Sequence, residues 1–128
     1  MLYETHRFRR VDRVLSPRDF KRVLKSGRPG TSEGFIVVIA RRPRNAVTKS
    51  DESRQRLGVT VSKRVGNAVI RNHIKRRIRE WFRHARKWLP DGSDVVVIAC
   101  RAARGLSGCE VTKVLNAMIS AARTGRAS

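Results

Sequence analysis

Long apolar runs are missing from this chain. No stretch of about eighteen apolar residues occurs, so no membrane-spanning helix is expected. The first residues, Met1 to His6, lack the apolar segment of a secretory leader, and none is expected. Cysteine is scarce: Cys100 and Cys109 cannot form a disulfide framework or a four-ligand zinc site. They read as reduced structural residues of a cytoplasmic protein. Aromatic residues make up only 5%. Acidic residues are the most telling shortage, with ten against thirty Lys and Arg, a formal net charge of +20. No internal repeat is visible.

What is present is enough for one domain. A length of 128 residues with 40% hydrophobic content suits a single core, expected over about residues 10–123 with short flexible ends. A compact domain this positive repels itself, which implies a polyanionic partner, and nucleic acid is the first expectation.

Local signals divide the chain. Ser16-Pro17-Arg18-Asp19 combines a capping hydroxyl, proline at the first helical position and an acid near the N-terminus. Phe20, Val23 and Leu24 follow on one face, and Gly27 ends the helix, giving a helix over 17–26. Residues 34–40 form a β-branched run apolar on both faces, which predicts a strand covered on both sides. Residues 28–33 are compatible with a short extra strand, and 41–55 read as a polar loop. Residues 57–62 alternate: Leu57, Val59 and Val61 point one way, and Gly58, Thr60 and Ser62 leave the other side open and polar. Asn67 is an N-cap candidate for a helix from about Ala68 to about Trp88, stopped before Pro90. Residues 94–100 form a third clear strand. Ser107 and Glu110 form a capping box ahead of a last helix whose apolar face is Val111, Val114, Leu115, Met118, Ile119 and Ala122. The tail from Thr124 is expected to fray. The expected fold is an α/β (α+β) sandwich around a small mixed sheet.

The long helix carries the chemistry. At about 100° per residue, Ile70, Ile74, Ile78, Trp81, Phe82, Ala85, Trp88 and Leu89 share an arc of roughly 120° that faces the core. Asn72, Lys75, Arg76, Arg79, Arg83 and Arg86 lie opposite, with Arg71 on the border and a single acid, Glu80. A solvated face normally mixes charge signs, because like charges at i, i+4 repel. Lys75, Arg79 and Arg83 stack at that spacing, so phosphate binding is the favoured reading. A plain solvated face and a membrane-surface or calmodulin-target helix are the rival readings. Arginine suits phosphate through its planar fork. The preceding turn adds Lys63 and Arg64, and a helix N-terminus attracts phosphate.

Residues 57–79, Leu-Gly-Val-Thr-Val-Ser-Lys-Arg-Val-Gly-Asn-Ala-Val-Ile-Arg-Asn-His-Ile-Lys-Arg-Arg-Ile-Arg, closely resemble the signature of the bacterial ribonuclease P protein subunit family. The Arg-Asn-x-x-Lys-Arg-x-x-Arg core stands as Arg71, Asn72, Lys75, Arg76 and Arg79, and the resemblance extends over roughly residues 10–123. It implies a two-layer sandwich of αβββαβα-like order with an unusual left-handed crossover through the basic helix. General handedness would not suggest that, since such connections are right-handed in about 98% of cases. It implies a partner, the catalytic RNase P RNA subunit, and a substrate, precursor tRNA, whose 5′ leader is removed. The chemistry would belong to the RNA and its Mg²⁺ ions. The five signature residues, with Arg83 from the stripe, would contact the RNA subunit. Phe20, Thr60, Ser62 and Lys63, with neighbouring Arg64, would form the leader-binding cleft, Phe20 stacking on a base or packing in the core. Leu24 and Val38 stand where relatives often carry further aromatics.

No catalytic or metal-binding set of the protein's own is expected. Asp51-Glu52 is the one adjacent acidic pair and sits in the polar loop. His73 and His84 share a helix side but stand about 16 Å apart along the axis, too far to flank one phosphate. The alternative is a non-catalytic RNA-binding protein, such as a ribosomal or ribosome-assembly protein. A sequence-specific DNA binder comes third, and neither DNA nor membrane is expected as a partner.

Overall fold

The computed structural model describes residues 17–32, 34–41, 55–90 and 92–123. The Ser16 cap, residues 10–16, most of the polar loop with Asp51 and Glu52, and the tail from Thr124 lie outside the described residues. Helix α1 spans Pro17–Ser26, followed by strands β1 (Arg28–Ser32), β2 (Phe35–Arg41) and β3 (Arg56–Val61). Helix α2 (Ala68–Ala85), strand β4 (Ser93–Ala99) and helix α3 (Gly108–Arg123) complete the expected αβββαβα order. Short 3-10 turns occupy Lys63–Val65, Arg86–Trp88 and Arg101–Gly105. The three clear strands fall within one residue of their expected bounds, and the extra strand is β1.

The sheet order is β1-β2-β4-β3. β2 pairs antiparallel with β1 and β4, and β3 pairs parallel with β4, with α2 as the connection between those two. The alternation of side chains divides the core in two. One face carries Phe35, Val37, Leu57, Val61, Val95 and Val97, packed against Ile74, Ile78, Trp81 and Phe82 of α2 and Val111, Leu115 and Ile119 of α3. The other carries Val38, Ala40 and Val96, covered by Val23 of α1, with Phe20, Ile36 and Ile98 partly buried against them. That double cover is what the unbroken apolar run of β2 requires.

Burial sets the phase of α2. Ile78 and Phe82 are completely buried. Turning the helix by one position would expose side chains worth roughly 1.5–3 kcal/mol each, so the core fixes which residues face outward. The Asn67 Oδ1 accepts the Ile70 N–H at 3.0 Å, the expected cap. At α3, the Ser107 N–H donates to Glu110 at 3.1 Å and the Glu110 N–H donates to Ser107 Oγ at 3.2 Å, closing the capping box.

Three expectations need correction. Leu24 is 46% exposed, so the buried stripe of α1 is narrower than Phe20-Val23-Leu24. Trp88 is 47% exposed. The α-helix gives way to a 3-10 turn after Ala85, and the changed rotation per residue takes the indole off the core arc. Gly34 is the β1–β2 turn, not the start of β2. Its φ is +90°, and a Cβ there would lie 2.5 Å from the Ala103 backbone nitrogen, so both conformation and space demand glycine.

Candidate nucleic-acid interface

The outward face of α2 presents Asn72 and Arg76 exposed, with Arg71, Lys75, Arg79 and Arg83 half-buried. Half-burial of such long side chains means that their stems lie along the protein while the charged heads reach outward. Glu80, the one acid of the helix, binds Arg83 at 2.5 Å and lies 3.5 Å from His84. The hydrogen bond from Arg83 holds the Glu80 carboxyl below the ordinary glutamate value, helped by the nearby His84. Arg83 is therefore partly neutralised.

That face runs into the sheet through the turn after β3. Lys63 and Arg64 are exposed there. The Ser62 N–H donates to Ala99 O at 3.0 Å, and Ser62 Oγ accepts the Arg64 N–H at 3.2 Å. The turn is thus pinned to the end of β4, and two cations stand where the basic helix meets the cleft side of the sheet.

The cleft is best described by rows across the strands. Ile36, Ile98 and Thr60 are neighbours in register, as are Val38, Val96 and Gly58, then Ala40, Asp94 and Arg56. Helix α1 covers the second and third rows. Val38, Val96 and Asp94 have almost no exposure, and Gly58 is buried. The first row stays open, with Thr60 exposed and Ile36 and Ile98 half-buried. Phe20 roofs Gly58: a Cβ at Gly58 would lie 2.7 Å from Phe20 Cζ. The polar side of β3 is therefore open at Thr60 but closed at Gly58, contrary to the simple alternation. Phe20 is half-buried and packs against the cluster of Val23, Val38 and Val96.

Sequence reasoning missed part of this cleft. Ile36 and Ile98 give it an apolar floor. It also missed the clamp that holds α1 in place. Asp94, completely buried, accepts hydrogen bonds from Arg56 at 2.9 and 2.8 Å and is bound by Arg22 of α1. Asp19 of α1 approaches Arg22 at 3.8 Å and Arg56 at 3.6 Å. A buried carboxylate is tolerated only when paired. The sequence signal was an aspartate opening an otherwise apolar strand.

His73 and His84 both line a groove between α2 and α3, with Arg77 donating to His73 at 2.8 Å. Among the described residues no three His, Cys, Asp or Glu side chains come together in a way that could hold a metal ion. Within the described residues, no helix is long and apolar enough to cross a membrane.

A small α+β domain with a basic helix face running into a half-open sheet cleft has the features of a nucleic-acid-binding domain. The family model described as Ribonuclease P matches residues 8–123, and the chain belongs to that family. The ribonuclease P protein component of Syntrophobacter fumaroxidans is 42% identical over 113 residues, covering 88% of each chain. The solved RNase P protein of Staphylococcus aureus shares 31% identity with a TM-score of 0.74, covering 88% of this chain and 95% of that one. The Thermotoga maritima RNase P protein shares 28% with a TM-score of 0.69, covering 84% and 96%. The chain is thus a protein subunit of the ribonuclease P holoenzyme, an endoribonuclease of tRNA 5′ processing.

Proposed function

We propose that the α2 face, through Arg71, Asn72, Lys75, Arg76, Arg79 and Arg83, grips the RNase P RNA subunit. The cleft of Phe20, Thr60, Ser62, Lys63 and Arg64, extended by Ile36 and Ile98, takes the single-stranded 5′ leader of precursor tRNA. The observation that carries this reading is the junction at Ser62–Asn67, where the basic face of α2 adjoins the half-open, partly apolar end of the sheet. A rigid A-form duplex suits the first surface, and an unstacked strand suits the second. Lys63 and Arg64 would hold the backbone while Phe20 offers a ring face to a base.

In this reading the protein's own groups bind and orient, and the activation of water falls to the RNA. Mg²⁺ would be held mainly by the RNA and would supply the charge that stabilises the leaving and attacking oxygens. By neutralising RNA phosphates, the basic face would lower the repulsion that precursor tRNA and Mg²⁺ binding must overcome. An assembly that processes precursor tRNA would act in the cytoplasm. The test is reconstitution of the full chain with the RNA subunit and precursor tRNA at low Mg²⁺. One cut at the mature 5′ end, requiring both components, is the expected result. No stimulation of the RNA by the protein would overturn the reading.

A further inference from the structure

Of the residues assigned to the two surfaces above, the groove between α2 and α3 shares only Arg76. It has a volume of about 660 Å³, in the range of sites that bind small ligands. Trp81 forms its inner wall, buried and tied by its Nε1–H to Asn116 Oδ1 at 2.8 Å. Trp88 forms its outer wall and is nearly half exposed. A continued α-helix would have placed Trp88 on the same arc as Ile70 and Trp81, eighteen and seven residues before it. The 3-10 turn at Arg86–Trp88 changes that rotation, and the indole lines the groove while nearly half exposed. Lys87 Nζ sits 5.0 Å from the centre of that ring. Arg76 and Arg77 flank the groove, and Arg77 reaches across from His73 to rest against Gly108 at the start of α3.

We propose that this groove is a further RNA contact, taking one unpaired nucleotide of the RNA subunit, its base against Trp88 and its phosphate on Arg76. This rests on the reading of the chain as a partner of that RNA. Charge complementarity selects the occupant. The rim is cationic, and its one acid, Glu80, is already bound by Arg83 and approached by His84. Shape selects its form. A duplex presents convex phosphates with its bases stacked inside, whereas a recess walled by indoles is filled by a base splayed out of the strand. Arg76 stands on both the outward face and the rim of the groove, so an RNA strand bound to the face can turn one nucleotide into the groove without leaving the cation. An acidic peptide would satisfy the rim charge but offers no flat π-face to the indole.

The test uses the full chain in two measurements. First, indole fluorescence is followed during titration with single-stranded oligouridylate, an RNA duplex and polyglutamate, with Trp88→Phe identifying the Trp88 signal. Quenching by the single strand alone, lost in Trp88→Phe, is expected; equal quenching by polyglutamate overturns the proposal. Second, affinity for the RNase P RNA is measured across salt concentrations for wild type, Trp88→Ala and Trp88→Tyr. Trp88→Ala should bind about 5- to 150-fold more weakly with an unchanged salt slope, because stacking releases no counterions. Trp88→Tyr should recover most of the loss, and equal melting temperatures would place the effect in binding. Wild-type affinity for Trp88→Ala refutes the groove alone. Failure of the wild-type chain to bind the RNA refutes the functional reading beneath it.

Discussion

Replacing Gly58 by alanine puts a methyl group where the Phe20 ring now lies. The new Cβ would meet Phe20 Cζ at 2.7 Å and Cε2 at 3.0 Å. Comfortable carbon contacts start near 3.5 Å, so the ring must retreat by about 0.8 Å. Two terms oppose each other in stability. Alanine in a strand gains roughly 0.5–1 kcal/mol over glycine, while overpacking costs about 1–3 kcal/mol. The expected net is a loss of up to about 2.5 kcal/mol, or a fall in Tm of up to about 10 °C for a domain of this size. Leader binding should suffer separately, because a base that stacks on Phe20 is worth about 1–3 kcal/mol. The assay is the ratio of precursor to mature tRNA affinity in the reconstituted holoenzyme, measured for Gly58→Ala, Phe20→Ala and the pair. The ratio should fall in both single variants. The pair should resemble Phe20→Ala alone, since the methyl clashes with nothing once the ring is gone, a coupling of about 0.5–3 kcal/mol. Additive effects of the two substitutions, or an unchanged ratio and Tm in Gly58→Ala, would refute the placing of Phe20 over Gly58 as the roof of the cleft.

Asp94→Asn leaves Arg22 and Arg56 without their buried counter-charge and should cost about 3–5 kcal/mol of stability by denaturant unfolding; a loss under 1 kcal/mol would mean that the clamp does not hold α1. Arg76→Ala changes an exposed side chain, so Tm should move by little, yet RNA-subunit affinity should fall by about 1.5–3 kcal/mol, with the log–log salt slope reduced by roughly 0.7–0.9. The same slope in wild type and variant would remove Arg76 from the phosphate contacts. The Glu110 carboxyl is held below its ordinary value of 4.5 by the Ser107 backbone hydrogen bond, then by the Ser107 hydroxyl. A lowered folded-state pKa stabilises above the unfolded value and is lost as pH falls through the folded one, so the start of α3 should loosen only in acid below about pH 4.5, seen as faster exchange of the Val111 amide; Glu110→Gln should remove that pH dependence. Protein free of RNA should leave precursor tRNA intact on a sequencing gel.

Much of the architecture was legible because periodicity and caps agree. The arc of Ile74, Ile78, Trp81, Phe82 and Ala85 gave the buried side of α2 and hence its basic face, and Asn67 and the Ser107–Glu110 box marked where two helices begin. The signature residues follow from the same phase. What stayed hidden depends on contacts between distant segments. Helical spacing puts Leu24 beside Phe20 and Val23, but only the assembled sheet shows that α1 covers two rows and leaves Leu24 exposed. Alternation puts Gly58 on the polar side of β3, but the ring that covers it comes from a helix thirty-eight positions earlier in the chain. The Asp94 clamp joins residues 72 and 38 positions apart. Trp88 was misplaced for a local reason: a helical wheel assumes one rotation per residue, and the last turn uses another.

The strand order has a consequence for how the molecule comes into being. β4, the last strand made, is inserted between β2 and β3, which never pair with each other. While residues up to 61 alone exist, β1 and β2 can close as a hairpin, but β3 has no partner. At synthesis rates of about 5–20 residues per second, roughly 2–8 s separate the end of β3 from the end of β4. During that interval the chain carries an unpaired edge strand, a hazard for intermolecular pairing. The run of cations that follows it, from Lys63 to Arg79, keeps identical nascent chains apart by repulsion. When β4 arrives it brings Val96 and Ile98 to the middle of two rows and Asp94 to the arginines of the third. Pairing that spans so many residues is the slow part of folding, and the floor of the cleft is completed in that one late step.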